Sequence, residues 1–344
     1  MKKVMALEGN SIPRVRNEDE EEPASGRKFS AISIPGLGRR PQYLVSSGGM
    51  THRFPRALAV FVSVFLCAPQ IFSAAESPRV PGTAPRASIK LLTIGNSFAD
   101  NATALLPGFA EAGGKGLLIF RANLGGHSLQ QHVGYLKAFE ADPNDPKGHA
   151  YKKHADPRSG EIKDFSLREA LESEDWDVVT IQQVSGLSFK PESFQPFAGI
   201  LIDYIHKYAP HAEILIFETW AYPDDYFSKF KEEGLDQQKM YAGLKAAYEK
   251  LSADTGLRII PVGDAFQKAR ALSLPISLNV AGDKHANPSG KYLGAAVFYE
   301  AIFHDNVELS PFVPPGISAG DAKAMRQAAH ETASEAAIVP AKKP

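Results

Sequence analysis

Four short segments of this chain carry residue types that could together perform acyl transfer. Gly95-Asn96-Ser97 offers a hydroxyl, which becomes a nucleophile once a base takes its proton and whose own backbone N–H can face developing negative charge. Gly125-Gly126 offers backbone N–H groups that a substrate oxygen can approach closely, because no side chain stands in the way. Gln182-Gln183 offers amides, either of which could donate to an oxyanion, and His285, in a polar run of Gly, Asp, Lys, Asn and Pro, offers a base. Each has an ordinary alternative: serines cap helices, paired glycines make turns, glutamines decorate strand ends and loop histidines are solvated. Their order and placement set them apart. A hydroxyl, a histidine and several oxyanion donors are the parts acyl transfer requires.

The placement follows from the elements that must carry these residues. Ile89–Ile94 is a near-continuous apolar run that reads as a strand ending at the Gly-Asn-Ser turn. Leu117–Ala122, Asp177–Gln182, Glu213–Thr219 and Leu257–Val262 read as four more strands. Helices are predicted over 101–113, 129–139, 167–171, 194–208, 236–252 and 288–303. Strands buried on both faces and alternating with helices predict an α/β fold, a three-layer sandwich around a mostly parallel five-stranded sheet. In such sheets chemistry sits in loops at the carboxyl ends of the strands, where all four segments fall. The predicted domain spans 89–306. Residues 141–165, rich in Asp, Pro, Gly, Lys and His, read as an inserted surface loop, with a lid, a substrate subsite and a solvated loop as open alternatives. The Pro- and Ala-rich tail, 307–344, reads as peripheral and partly helical.

The pattern resembles the SGNH (GDSL-like) hydrolase superfamily, in particular its branch with Gly-Asn-Ser-Phe in place of Gly-Asp-Ser. Gly95-Asn96-Ser97-Phe98 is similar to the first family block, Gly126 of Leu124-Gly125-Gly126-His127-Ser128-Leu129 to the second-block glycine, and His285 of His285-Ala286-Asn287-Pro288-Ser289-Gly290 to the last-block histidine. The resemblance implies Ser97 as nucleophile, His285 as base, and an oxyanion hole from the N–H groups of Ser97 and Gly126 and the Gln183 amide. It requires no metal or organic cofactor. Two departures stand out. The third block usually supplies an asparagine after a glycine, and here Gln182 or Gln183 stands instead. The family's acidic residue lies three positions before the histidine, where this chain has Gly282 and the aspartate is Asp283. Either Asp283 orients His285 from a rearranged loop, or Ser97 and His285 form a dyad helped by a backbone carbonyl.

The resemblance also implies a small-molecule or carbohydrate ester as substrate. Trp220 and Tyr222, with Tyr226, could stack on a sugar ring, against the alternative of core and loop packing. Three rivals have their own residues. Gly126-His127-Ser128-Leu129-Gln130 approaches the α/β-hydrolase elbow with Ser128 as nucleophile, but Gln130 replaces the glycine that tight turn needs. A non-catalytic carbohydrate-binding protein would suit the displaced aspartate and the missing asparagine. A metal hydrolase would need paired ligands, yet His127 and His132, like His149 and His154, are five apart rather than on one helical face.

Composition narrows the class further. The 344 residues carry 38 Lys/Arg and 39 Asp/Glu, a net charge of −1 that excludes the basic surplus of a nucleic-acid binder. One cysteine, Cys67, excludes a disulfide framework and a cysteine-ligated metal. Thr51-His52-Arg53-Phe54-Pro55-Arg56 is cationic, Ala57–Ala68 is apolar and Ser73-Ala74-Ala75 supplies small residues for a cut after Ala75. These are the three parts of a secretory signal, so export to a periplasmic or extracellular space is expected. A dozen apolar residues are too few to span about 30 Å of hydrocarbon, so no permanent membrane anchor is expected. Residues 1–49, with the run Glu18-Asp19-Glu20-Glu21-Glu22, read as disordered or as an extension ahead of a natural start at Met50, and 76–88 read as a linker. Residues 1–75 hold ten Lys/Arg and six Asp/Glu, so the remainder carries 28 and 33, a net charge of −5, and no cysteine. That suits an oxidising compartment and rules out cysteine catalysis.

Overall fold

The computed structural model describes residues 84–227, 234–272 and 276–338. The expected extension, signal segment and cut after Ala75 lie outside the described residues. In chain order the elements are β1 (Ser88–Gly95), α1 (Ser97–Thr103), α2 (Leu106–Ala112), β2 (Gly116–Asn123), α3 (Leu129–Ala141), β3 (Tyr151–Ala155) and β4 (Ile162–Phe165). Then come α4 (Leu167–Glu172), β5 (Val178–Ile181), α5 (Phe197–Tyr208), β6 (Glu213–Phe217), α6 (Asp224–Phe227), α7 (Gln237–Thr255), β7 (Arg258–Ile260), α8 (Val262–Ala271), α9 (Pro288–Phe303) and α10 (Ala319–Ile338).

Five parallel strands form one sheet in the order β2-β1-β5-β6-β7. Leu91, Leu92 and Ile94 of β1 and all of Val178–Ile181 in β5 are buried, because helices cover both faces of the central strands. The chain leaves β1 toward β2 and returns to the other side of β1 at β5, so the order reverses between β1 and β5. With right-handed crossovers, the helices on the two sides of that point lie on opposite faces and open a crevice at the strand ends. Around α9, which is buried on nearly every side, gather α1, α2, α8 and α10; α3, α4 and α5 contact one another.

Several boundaries differ from the apolar pattern for local reasons. The predicted helix over 101–113 begins at Ser97, because Asn96 caps it, and breaks before Leu106, where Pro107 has no N–H to give and its ring crowds the preceding turn. The last predicted strand ends at Ile260, and its Val262 opens α8, whose Val262, Ala265, Phe266 and Ala269 form a buried stripe. The insertion is an antiparallel pair, β3 with β4, in which Tyr151 faces Phe165 and both are fully buried. The tail is not peripheral either. Ala322, Met325, Ala328 and Ala329 of α10 are buried against α8 and α9, so the domain runs past residue 306. Alanine gives a weak hydropathy signal, yet its small side chain lets helices approach closely.

Candidate active site

The Ser97 turn is built at the end of β1. Asn96 has extended dihedrals and its Oδ1 accepts from the Phe98 N–H at 3.1 Å, so α1 starts at Ser97. The same Oδ1 accepts from Gln182 Nε2 at 2.9 Å, and Asn96 Nδ2 donates to the His127 carbonyl at 3.0 Å. One buried asparagine thus ties the loops after β1, β2 and β5 together. Gly95 is required by this close approach: a Cβ there would lie 2.5 Å from Gln182 Oε1. Phe98, beside Ser97, stacks on Trp220 at 4.2 Å between ring centroids, and Trp220 stacks in turn on Phe266 of α8 at 4.6 Å. Each such pair adds roughly 0.5–1.5 kcal/mol beyond burial, which anchors the turn to the core.

Ser97 Oγ lies 2.9 Å from His285 Nε2, and His285 Nδ1 lies 2.9 Å from Asp283 Oδ1. The aspartate therefore reaches the imidazole from two residues before it. Its Oδ1 also accepts from the His285 backbone N–H at 3.0 Å, closing a tight local ring. Burial pushes the Asp283 carboxyl up, but the bonds from the His285 backbone and ring outweigh it and hold the group below the usual carboxylate range. An ionised carboxylate only accepts, so Nδ1 carries the ring proton and Nε2 is left to accept from the serine hydroxyl. That is the tautomer a general base needs.

The histidine loop is braced from several directions. Lys284 O accepts from Trp220 Nε1 at 3.0 Å and from Asn279 Nδ2 at 3.1 Å, and the Ala286 N–H donates to Asn101 Oδ1 of α1 at 2.8 Å. Arg270 Nη2 holds Asn279 Oδ1 at 3.0 Å and the Ala221 carbonyl at 3.1 Å. Asn287 then caps α9 through the Gly290 N–H. Asn96, Asn101, Asn279 and Arg270 escaped the sequence reading because each acts through a long-range contact. Asn96 alone had a visible signal, standing inside Gly-Asn-Ser.

Gly126 has φ +68°, a conformation that glycine adopts without strain, and it directly precedes the residue whose carbonyl Asn96 holds. Neither its N–H nor that of Ser97 has an acceptor among the described residues. Gln183 does not join them. Its Nε2 donates to the Ser193 carbonyl at 2.9 Å and to Ser193 Oγ at 3.2 Å, while its Oε1 accepts from Leu129 N and Val184 N. The longer stem folds the amide back into its own loop, so the expected third oxyanion donor is corrected.

Two further expectations change. Trp220 and Tyr222 are 0 % and 1 % exposed, the first sandwiched between Phe98 and Phe266 and the second bonded to Ser185 Oγ at 2.9 Å, so neither can stack on a sugar. Tyr226, partly exposed, packs against Tyr222 at 4.9 Å. Ser128 is the N-cap of α3 in a reciprocal capping box with Gln131, far from the geometry of an exposed elbow serine. The four histidines each have a partner of their own, although the rings of His127 and His132 lie 6.5 Å apart: His127 meets Tyr135, His132 meets Tyr151, His149 pairs with Glu169 and His154 packs on Phe120.

Residues 90–332 match the family model described as a domain of unknown function, DUF4886. No curated protein matches the chain. Among solved structures, the chain is similar to a DUF4886 family protein from Bacteroides uniformis ATCC 8492, with 30% identity over 74% of this chain and 98% of that one and a TM-score of 0.63. It is more distantly similar to a candidate SGNH hydrolase from Slackia heliotrinireducens, at 22% identity, 62% and 98% coverage and a TM-score of 0.46. A candidate GDSL-like lipase from Parabacteroides merdae ATCC 43184 follows at 15% identity, 66% and 100% coverage and a TM-score of 0.42. With residues 90–332 of its 344 inside the family model, and a solved relative aligned over nearly all of its own length, this chain belongs to the DUF4886 family.

Proposed function

We propose that the protein is an exported serine hydrolase that cleaves carboxylic esters through an acyl-enzyme on Ser97. The observation that carries this reading is the unbroken line from Ser97 Oγ through His285 to Asp283, 2.9 Å at each step. His285 Nε2 takes the hydroxyl proton as Ser97 Oγ bonds to the ester carbonyl carbon. The carbonyl oxygen becomes an oxyanion held by the N–H groups of Ser97 and Gly126. Collapse expels the alkoxide, which takes the proton from His285 and leaves as the alcohol. A water then gives a proton to His285 and attacks the acyl carbon; the bond to Ser97 Oγ breaks, the serine recovers its proton and the carboxylic acid leaves.

For the substrate we propose small-acyl esters of carbohydrates. This rests on the SGNH resemblance and the expected export signal, with Tyr226 as the one residue of the Trp220, Tyr222 and Tyr226 group that is partly exposed. A non-catalytic binding protein loses its main support, because the displaced aspartate still bonds the histidine. The test is hydrolysis of short-chain nitrophenyl esters and acetylated oligosaccharides by the wild type, Ser97→Ala and Ser128→Ala. Loss with Ser97→Ala alone is expected. Activity that survives Ser97→Ala contradicts the proposal.

A further inference from the structure

The insertion that composition marks as a surface loop sends two side chains, Tyr151 and Phe165, into the domain. Tyr151 of β3 is 0 % exposed, and its hydroxyl lies 2.8 Å from Nδ1 of His132, itself 0 % exposed on α3. The two rings lie nearly parallel, 10° apart at 5.9 Å. His132 Nε2 lies 2.9 Å from the carbonyl of Gly95, the residue that ends β1 two positions before Ser97. A carbonyl only accepts, so Nε2 carries the ring proton, and Nδ1 accepts from the tyrosine hydroxyl. Gly95 O accepts a second bond, from the Leu124 N–H at 2.9 Å, at the root of the Gly126 loop. One carbonyl is thus the junction of the nucleophile turn, the Gly126 loop and, through His132, the insertion.

We infer that the β3–β4 insertion is a buttress rather than a lid, and that Tyr151 and His132 are positioning residues that set the nucleophile turn against the Gly126 loop. The inference rests on the reading of Ser97 as nucleophile. The seating of the insertion fits this role, since Phe165 opposite Tyr151 packs edge-on against Phe120 of β2 at 5.1 Å. The chemistry fits as well. Burial holds His132 down to about 4, assisted by the neighbouring His127 and opposed by the bond to Gly95, so the ring stays neutral and keeps one tautomer at working pH. A neutral imidazole between a fixed donor and a fixed acceptor is a rigid spacer.

Tyr151→Phe removes one hydroxyl and no packing. With the full chain and a short-chain nitrophenyl ester, it should lower kcat about fivefold with KM nearly unchanged, and lower Tm by a few degrees because the buried His132 Nδ1 loses its donor. His132→Leu should cost roughly 10–100-fold in kcat, the scale of a small displacement of reacting groups. His132→Gln, whose amide can repeat both bonds, should recover most of the rate. Unchanged kcat in both Tyr151→Phe and His132→Leu overturns the inference, as does a loss confined to KM or Tm. Should His132→Leu fail to fold, Tyr151→Phe decides alone. An activity-independent readout separates this inference from the nucleophile reading: in 15N-histidine spectra His132 should show the Nε2–H form without titrating between about pH 5 and 8, and the His285 ring signals should move in Tyr151→Phe. A titrating His132, or His285 signals that stay in place, overturns the buttress even if the wild type hydrolyses no ester.

Discussion

Replacing Asp283 separates two ways in which an aspartate can serve a histidine. In a buried triad, Asp→Asn drops the rate about 10⁴-fold because the amide turns its NH2 toward the ring and selects the wrong tautomer. Here one oxygen, Oδ1, accepts from both the ring Nδ1 at 2.9 Å and the His285 backbone N–H at 3.0 Å. An asparagine would keep its carbonyl oxygen in that position, since turning it would set NH2 against a backbone donor that cannot reverse. Asp283→Asn should therefore preserve the tautomer and lose only the charge. A charge-assisted bond is about twice as strong as a neutral one and contributes about 1.5–3 kcal/mol. Losing half of that costs about 0.75–1.5 kcal/mol, roughly 4–13-fold in rate. Asp283→Ala loses the whole interaction and should cost about 10–150-fold. The Asp283 side chain is 44 % exposed, which places both effects toward the lower end. The assay is kcat/KM on a nitrophenyl ester, with Tm measured on each variant. An asparagine variant as damaged as a 10⁴-fold loss would refute the pinned oxygen, and an alanine variant at wild-type rate would refute the triad in favour of a dyad.

Other outcomes follow from the same geometry. Gly95→Ala should sharply reduce turnover, because the new Cβ displaces the Gln182 side chain that bonds Asn96; a variant at wild-type kcat would contradict that role. Gln183→Ala should act on stability instead, lowering Tm by orphaning the Leu129 N–H and Ser193 contacts while the folded enzyme keeps its kcat within a few-fold, as thermal melts and steady-state rates would read. His330 of α10 bonds Glu300 and faces Glu308 and Glu331; the Glu300 bond raises its pKa despite partial burial. Its folded value thus lies above the unfolded value of about 6.5, so its stabilisation is complete below that pH and is lost as pH rises through the folded value. A Tm that falls across this window in the wild type, with the slope reduced in His330→Gln, would bear this out.

The five strands were legible because each is a largely apolar run, and the alternation of helices and strands dictated a parallel sheet. The helix over 288–303 was legible to the residue, since Asn287 and Pro288 mark its start and an apolar run fills it. Helix α8 was hidden because its first apolar residue, Val262, continues the strand before it. The β3–β4 pair was hidden because only Tyr151 and Phe165 of its nine residues are buried, too few for a pattern. At the site, Ser97, Gly126 and His285 were visible from residue type and position at strand ends. The engagement of Gln183 with Ser193, the burial of Trp220 by Phe98 and Phe266, and the junction at Gly95 O all depend on contacts between segments distant in sequence, which local pattern does not encode.

The central claim is that Ser97 is a nucleophile activated by His285. Incubation of the protein with an organophosphonate ester probe, followed by proteolysis and mass spectrometry, tests it most directly. The account predicts a single phosphonyl adduct on the peptide containing Ser97, formed by the wild type and lost in His285→Ala. An adduct on Ser128, or no adduct on any serine while the protein remains folded, would contradict it.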